Sequence, residues 1–228
     1  MKFSTAIFQR TLILATLLAA FASTIPPGPK GIVDQCVEIT ERLQTKLKTQ
    51  DPYTYPNDYF TFTGEDTSLI FNFINKTDKG FSKVICEFFS IKTAQMTLRA
   101  PNLESSAVHA QVYGTLHGRT VLITSPFSLQ TGNQRFDLRF HYDSYSQDPF
   151  SLCITDGSLQ ITTDFESMEV NLPSSQEVTQ ELSDHPNKLK EALNIYLLRS
   201  AIGFSTTLNE ALCSSHLPPV GSAKDDTA

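Results

Sequence analysis

The sequence predicts an α+β fold: a short amphipathic N-terminal helix, a meander of antiparallel strands, and a long apolar C-terminal helix that covers the strands. Three observations predict it. Apolar residues first recur at helical spacing, then alternate with polar residues, and finally occupy nearly every side of a helical wheel. A chain of this length fits one domain with a large core.

The N-terminal residues have the pattern of a signal peptide. Basic residues precede an apolar run, Thr11 to Phe21, which is too short to span a bilayer, and a small-x-small cleavage site follows at residues 20–22. We therefore expect residues 1–22 to be removed and the protein to be secreted to the extracellular space. Residues 23–213 are expected to form a single domain, and residues 214–228 a flexible tail.

The acidic composition excludes some partners. Of 18 basic and 24 acidic residues, removal of the leader takes away Lys2 and Arg10, which leaves 16 basic residues and a formal net charge of −8. Nucleic acid is not an expected partner, because phosphate binding needs a cationic surface. Stable membrane insertion is not expected either, because no later stretch is long and apolar enough to span a bilayer.

Four cysteines, Cys36, Cys86, Cys153 and Cys213, all follow the leader. An even number in an oxidising compartment predicts two disulfides, and the sequence leaves three pairings open. The only N-glycosylation sequon begins at Asn75, which we expect to carry a glycan.

The amphipathic helix is predicted from Ile32 to Leu47, and Asp51-Pro52 ends it, because the residue before proline is pushed out of the helical region. From Tyr59 to Leu172 the apolar period changes to two, which predicts one-sided antiparallel strands. Turn-forming residues, among them Ala100-Pro101-Asn102 and Thr131-Gly132-Asn133, are expected to separate about eight short strands.

The segment from His185-Pro186 to Leu212 is apolar on nearly all sides, and such a helix is normally buried. Two interpretations are open. The helix is either an ordinary core helix, or it is wrapped by the sheet with room for a guest molecule between them.

No motif of enzymatic chemistry stands out. The sequence contains no G-x-S-x-G elbow, H-E-x-x-H helix, Walker loop or G-x-G-x-x-G turn. We therefore expect a protein without enzymatic activity, cofactor or metal. The 16 phenylalanines, mostly in predicted strands, are typical of a packed core or of an apolar ligand site.

The order of these pieces resembles the tubular lipid-binding superfamily, and within it the takeout proteins, the juvenile-hormone-binding proteins and the mite group 7 allergens. The shared pattern is a leader, an amphipathic helix, an Asp-Pro step, a strand meander and a long apolar helix, here Asn187 to Cys213. Local likeness lies at Phe81-Ser82, which is similar to a Gly-Leu-Ser step, at Met96 to Leu103, and at Tyr113 to Gly118. The resemblance covers nearly the whole mature chain.

The resemblance implies a curved sheet wrapped around the last helix, with an elongated apolar tunnel between them. It also implies disulfides between Cys153 and Cys213 and between Cys36 and Cys86. The implied function is a carrier or scavenger of an apolar small molecule such as a fatty acid, a terpenoid or a related lipid. The expected tunnel lining consists of Phe71, Phe73, Leu98, Val112, Phe136, Leu138, Phe140, Leu152, Ile154, Leu193 and Leu197.

Two alternatives remain open at this point. The first is a secreted interaction protein of the same fold whose cavity has closed, and which acts through its surface on an unknown protein receptor in immunity or host contact. The other alternative, which ranks behind the carrier and the interaction protein, is an esterase-like enzyme. A tunnel filled with solvent or lipid would distinguish the carrier from the interaction protein, whose cavity is closed. Absence of activity towards ester substrates would exclude the enzyme.

Overall fold

The computed structural model describes residues 32–143 and 153–213. Within these ranges the helices are α1 (Ile32–Lys48), α2 (Gln176–Asp184) and α3 (Pro186–Leu212). The signal peptide predicted at residues 1–22 and the tail predicted at residues 214–228 lie outside them. No helix in the described ranges is long and apolar enough to cross a membrane.

The strands form one large antiparallel sheet. The strands are β1 (Tyr53–Thr63), β2 (Ser68–Lys79), β3 (Ile85–Ser90), β4 (Gln95–Leu116), β5 (Arg119–Arg139), β6 (Tyr142–Asp143), β7 (Cys153–Ile154), β8 (Gln160–Asp164) and β9 (Ser167–Asn171). The order in the large sheet is β1-β2-β4-β5-β8, with β3 beside β4 and β9 beside β5, while β6 and β7 make a separate pair. The α+β class and the long curved sheet of the prediction are confirmed.

Strands β4 and β5 are much longer than the short strands that the turn-forming residues predict, with 22 and 21 residues. The predicted turn at Ala100-Pro101-Asn102 is wrong, because β4 continues through it and exchanges its partner β3 for β2 there. The predicted turn at Thr131-Gly132-Asn133 is also wrong, because it lies inside β5, where Asn133 has a φ of 48°. These residues mark irregularities within long strands.

Two disulfides fasten the helices to the strands. Cys36 in α1 is bonded to Cys86 in β3, and Cys153 in β7 is bonded to Cys213, the residue that follows α3. This is the pairing that the resemblance implies, and it ties α1 to β3 and the C-terminus of α3 to β7.

The apolar interior consists of two clusters. The α2-side cluster combines Phe62, Phe71 and Val112 of the sheet with residues of α2 and with the first half of α3. The α1-side cluster combines Leu98 and Phe136 of the sheet with residues of α1 and with the second half of α3. Both clusters lie on one face of the sheet, and together they follow the length of α3.

The C-terminal helix is not buried on every side, so the expectation from its apolar composition is wrong for one face. Leu189 and Leu208 of α3 are each 2% exposed, whereas Ile195, Leu198 and Ile202 are 61%, 55% and 73% exposed. Strands β1 and β8 contact α3. The contacts of the sheet therefore leave part of the circumference of the helix exposed.

Candidate ligand cavity between the sheet and the C-terminal helix

A cavity lies between the sheet and α3 within the α2-side cluster. The volume of the cavity is about 50 Å³. Because one water molecule needs roughly 10–15 Å³, the cavity has room for about four water molecules. Its wall combines the polar residues Lys76, Ser105 and Tyr196 with the apolar residues Phe60, Phe73, Phe127, Leu129, Val170, Leu182, Leu189 and Leu193.

An irregularity in β2 turns Lys76 towards this cavity. Leu69, Phe71 and Phe73 are buried at a period of two, but Ile74 and Asn75 are both exposed, and the buried positions then continue at Lys76 and Asp78. Asn75 has a φ of 53°, a left-handed conformation that asparagine tolerates better than most residues. The extra exposed residue shifts the alternation by one position, so charged side chains point inward.

Lys76 lies at the centre of a buried polar cluster. Its Nζ is 2.9 Å from Asp78 Oδ2, 3.1 Å from Asp58 Oδ2 and 3.0 Å from Tyr196 Oη. Tyr196 donates its hydroxyl proton to Asp58 Oδ2 at 2.6 Å, and Ser105 donates to Asp78 Oδ1 at 2.5 Å. One ammonium and two carboxylates give this cluster, the Lys76 cluster, a formal charge of −1.

The surroundings fix the protonation of the Lys76 cluster. Burial acts to lower the pKa of the Lys76 ammonium, but the carboxylates of Asp78 and Asp58 outweigh burial and raise that pKa above its usual value. Burial raises the pKa of Tyr196, and the hydrogen bond to the Asp58 carboxylate raises it further. The lysine therefore stays charged and the tyrosine stays a proton donor at neutral pH.

A second chain of polar side chains connects β5, β8 and α3. Thr131 donates to Gln134 Oε1 at 2.6 Å, and Gln134 Nε2 donates to Thr163 Oγ1 at 2.8 Å. The backbone N–H of Thr163 donates to Asn194 Oδ1 of α3 at 2.6 Å. The buried side chains of Thr131, Gln134 and Thr163 thus each have a hydrogen-bond partner, as low-dielectric surroundings require.

The two polar groups together form a belt between the apolar clusters. On β5, Thr131 and Gln134 lie between Leu129 of the α2-side cluster and Phe136 of the α1-side cluster. On α3, Asn194 and Tyr196 likewise fall between Leu193 and Leu197, which pack against the α2-side and the α1-side cluster respectively. The belt therefore lies between the two apolar clusters, with Tyr196 packed against the α2-side cluster, which contains the cavity.

The predicted lining residues are distributed over the two apolar clusters. Phe71, Phe73, Val112 and Leu193 belong to or pack against the α2-side cluster, and of these Phe73 and Leu193 line the cavity. Leu152 lies outside the described residues. The remaining predicted lining residues belong to or pack against the α1-side cluster and are Leu98, Phe136, Leu138, Phe140, Ile154 and Leu197.

The sequence analysis missed the polar residues of the cavity. The sequence patterns do not single out Lys76, which follows Asn75 in the sequon, or Tyr196, which lies within the apolar C-terminal helix. A signal was nevertheless present, because Asn194 and Tyr196 place polar atoms in the middle of that helix. The inward turn of Lys76 depends on the irregularity at Asn75, which the alternation pattern does not reveal.

Two further predictions concern surface and metal chemistry. Asn75 is exposed, so its side chain is accessible on the outside of the sheet. Among the residues that the structure describes, no three His, Cys, Asp or Glu side chains converge in a group suited to a metal ion.

A long curved sheet around a C-terminal helix, with a short N-terminal helix beside them, is the fold of the tubular lipid-binding class. The structure is similar to the crystal structure of Takeout 1 from Epiphyas postvittana, with a TM-score of 0.62 and 12% sequence identity. That similarity covers 82% of this chain and 93% of the other chain. The resemblance found in the sequence is thereby confirmed at the level of the fold.

Other comparisons are weaker. A match to the crystal structure of lipopolysaccharide binding protein has a TM-score of 0.38 and 11% identity, and covers 79% of this chain but 40% of the other. The chain thus spans less than half of that protein. No family model and no curated protein matches the sequence.

Proposed function

We propose that the protein is a secreted, non-enzymatic carrier or scavenger of an apolar small molecule, such as a terpenoid, a fatty acid or a related lipid. The ligand binds between the sheet and α3, in the cavity of the α2-side cluster. The observation that supports this most is the cavity itself, which has eight apolar lining residues and a polar wall at Lys76, Ser105 and Tyr196. The fold shared with Takeout 1 supports the same proposal.

Binding would be burial without chemistry. Removing about 300 Å² of apolar ligand surface from water, at about 25 cal/mol per Å², gives a gross gain near 7 kcal/mol. Lost ligand freedom subtracts several kcal/mol, so an affinity near the micromolar range is expected. The cavity has room for only about four water molecules, which is less than a lipid needs. A lipid must therefore also separate α3 from the sheet as it enters.

The small cavity also favours a second candidate, a secreted interaction protein of the same fold that acts through its surface in immunity or host contact. Two features support a closed cavity, namely its volume of about 50 Å³ and the polar belt across the interior. The exposed stripe of Ile195, Leu198 and Ile202 on α3 offers such a protein an apolar surface.

A binding titration with a matched pair of variants tests the carrier function. N-phenyl-1-naphthylamine, a neutral probe that fluoresces in apolar surroundings, is titrated into the mature protein. Leu193→Phe adds bulk at the cavity wall, while Leu122→Phe makes the same change at a position that is 71% exposed on β5. Carrier function predicts micromolar uptake by the wild type, about tenfold weaker uptake by Leu193→Phe, and no change in Leu122→Phe.

The opposite results separate the candidates. A wild type that takes up neither the probe nor any of a panel of fatty acids and terpenoids contradicts the carrier function and supports the interaction protein. Equal weakening in both variants places the probe on the surface, outside the cavity.

A further inference from the structure

The hydrogen-bonding capacity of the Lys76 cluster suggests which lipids the cavity accepts. An ammonium has three N–H donors and no acceptor, and the three groups around Lys76 Nζ are Asp78 Oδ2, Asp58 Oδ2 and Tyr196 Oη, all within 3.1 Å. The donors of Lys76 are therefore matched one to one by acceptors of the protein itself.

The two hydroxyls of the cavity wall are committed in the same way. Tyr196 gives its single proton to Asp58, and Ser105 gives its single proton to Asp78. A hydroxyl oxygen has two lone pairs. Tyr196 Oη already accepts from Lys76 and is hydrogen-bonded with the Ser200 side chain, whereas Ser105 Oγ keeps the capacity to accept a hydrogen bond. Asp58 Oδ1 is itself occupied by the backbone N–H of Tyr59 at 2.8 Å. The polar wall thus accepts hydrogen bonds but has no proton left to donate.

Charge acts in the same direction as hydrogen bonding. Asp58 and Asp78 carry two negative charges against the one positive charge of Lys76, and the Lys76 and Asp78 side chains are 6% and 10% exposed. Asp58 and Asp78 lie behind the cavity wall, which itself contains only Lys76 of these three residues. A carboxylate that enters the cavity would lose its hydration, lie beside a cluster of net negative charge, and find no donor to replace water.

From this geometry we propose that the cavity selects uncharged lipids, and among them lipids whose buried polar end is a hydroxyl donor, against lipids that carry a carboxylate. The hydroxyl of a long-chain or terpenoid alcohol can donate to Ser105 Oγ while its chain lies against the apolar wall. This inference rests on the proposed carrier function and narrows its ligand from apolar molecules in general to neutral, donor-bearing ones.

Three ligands of equal chain length test the selectivity. Dodecan-1-ol is neutral and donates, methyl dodecanoate is neutral and only accepts, and dodecanoate is anionic at neutral pH. Each displaces N-phenyl-1-naphthylamine from the mature wild-type protein. The expected order is alcohol, then ester, then carboxylate, with the alcohol at least about tenfold tighter than the carboxylate.

A charge variant tests the cause. Asp58→Asn brings the formal charge of the Lys76 cluster to zero, whereas Asp66→Asn makes the same change at an exposed loop position. The ratio between alcohol and carboxylate is expected to shrink several-fold in Asp58→Asn and to stay at the wild-type value in Asp66→Asn. If Asp58→Asn does not fold, the ratio of the wild-type affinities for the alcohol and the carboxylate still tests the selectivity.

Failure of this inference is distinguishable from failure of the carrier function. Equal affinities for the three ligands, or preference for the carboxylate, overturn the selectivity while the carrier function stands. A ratio that Asp58→Asn leaves unchanged overturns the assignment to the Lys76 cluster. Absence of binding for the probe and for all three ligands overturns the carrier function itself.

Discussion

Lys76 of β2 donates a hydrogen bond to Tyr196 of α3 across 120 residues of sequence, with 3.0 Å between Nζ and Oη. The Nζ atom also lies over the Tyr196 ring, 4.9 Å from its centroid. This contact joins the sheet to the C-terminal helix at the edge of the cavity. The position of α3 over the sheet therefore depends on a buried charged group as well as on apolar packing.

Replacing Lys76 tests how strongly this cluster holds the fold. Lys76→Met leaves two carboxylates, Asp58 and Asp78, without their cation in a largely buried site. Removing one partner of a buried ion pair typically costs about 3–5 kcal/mol, and we expect a loss of that size in the free energy of unfolding, measured by denaturant titration.

A neighbouring lysine provides the control. Lys79 lies on the same strand but is 50% exposed and pairs with Glu104 at 3.7 Å. Lys79→Met is expected to change the free energy of unfolding by less than about 1 kcal/mol, as for other surface pairs. Similar losses in both variants would show that the Lys76 cluster contributes no more than a surface pair.

The lowered pKa of the Asp51 carboxyl should make the free energy of unfolding depend on pH. Partial burial acts to raise the pKa of its carboxyl, but hydrogen bonds from Ser82 and from the backbone of Gly80 outweigh burial and hold this pKa below its ordinary value of 3.8. A carboxyl with a lowered pKa stabilises the fold above its ordinary value, and the stabilisation is lost as the pH falls through the folded pKa.

Unfolding of the wild type and of Asp51→Asn at a series of pH values measures this effect. We expect the variant to be less stable by about 1 kcal/mol above pH 5, and the difference to shrink as the pH falls below 3.8. A difference that is constant across this range, or that grows in acid, would contradict the role assigned to the carboxylate.

The disulfide pairing predicts a peptide map. Digestion without reduction should release peptides that join Cys36 to Cys86 and Cys153 to Cys213. Replacing both cysteines of either bridge with alanine should lower the free energy of unfolding by about 2–4 kcal/mol, because each bridge closes a loop of 50 or 60 residues. Any other linkage in the map would contradict the structure.

Asn75 is expected to carry a glycan when the protein passes through a eukaryotic secretory pathway. Its exposed side chain leaves room for a glycan outside the sheet. Thr77→Ala removes the sequon but keeps asparagine at the left-handed position, and should lower the intact mass by one glycan. A wild-type intact mass equal to that of the bare chain would show that the sequon is not used.

The sequence predicted the larger elements because they depend on repeated local patterns. Phe136 and Leu138 of β5, and Phe140 directly after it, alternate with charged residues, and the structure buries all three. The N-terminal helix was expected to end at Leu47, and α1 ends one residue later, at Lys48. In both elements the period alone decides which face turns inward.

The polar belt and the size of the cavity could not be predicted in this way. They depend on irregularities of long strands, at Asn75 in β2 and between Ala107 and Ala110 in β4, which shift the alternation by one residue. Val108 belonged to the same alternating set as Val112, yet it is 70% exposed because of the second irregularity. Such shifts arise from pairing with distant strands, which local patterns do not encode.

Native mass spectrometry tests most directly whether the layer between the sheet and α3 binds a lipid. The mature protein is produced in a eukaryotic secretory host, trimmed of glycan, and measured before and after extraction with organic solvent. A carrier predicts an adduct of a few hundred daltons that extraction removes, that identifies as a lipid, and that Leu193→Phe diminishes. A bare mass before extraction, with no uptake from a panel of neutral and acidic lipids afterwards, would contradict the carrier function.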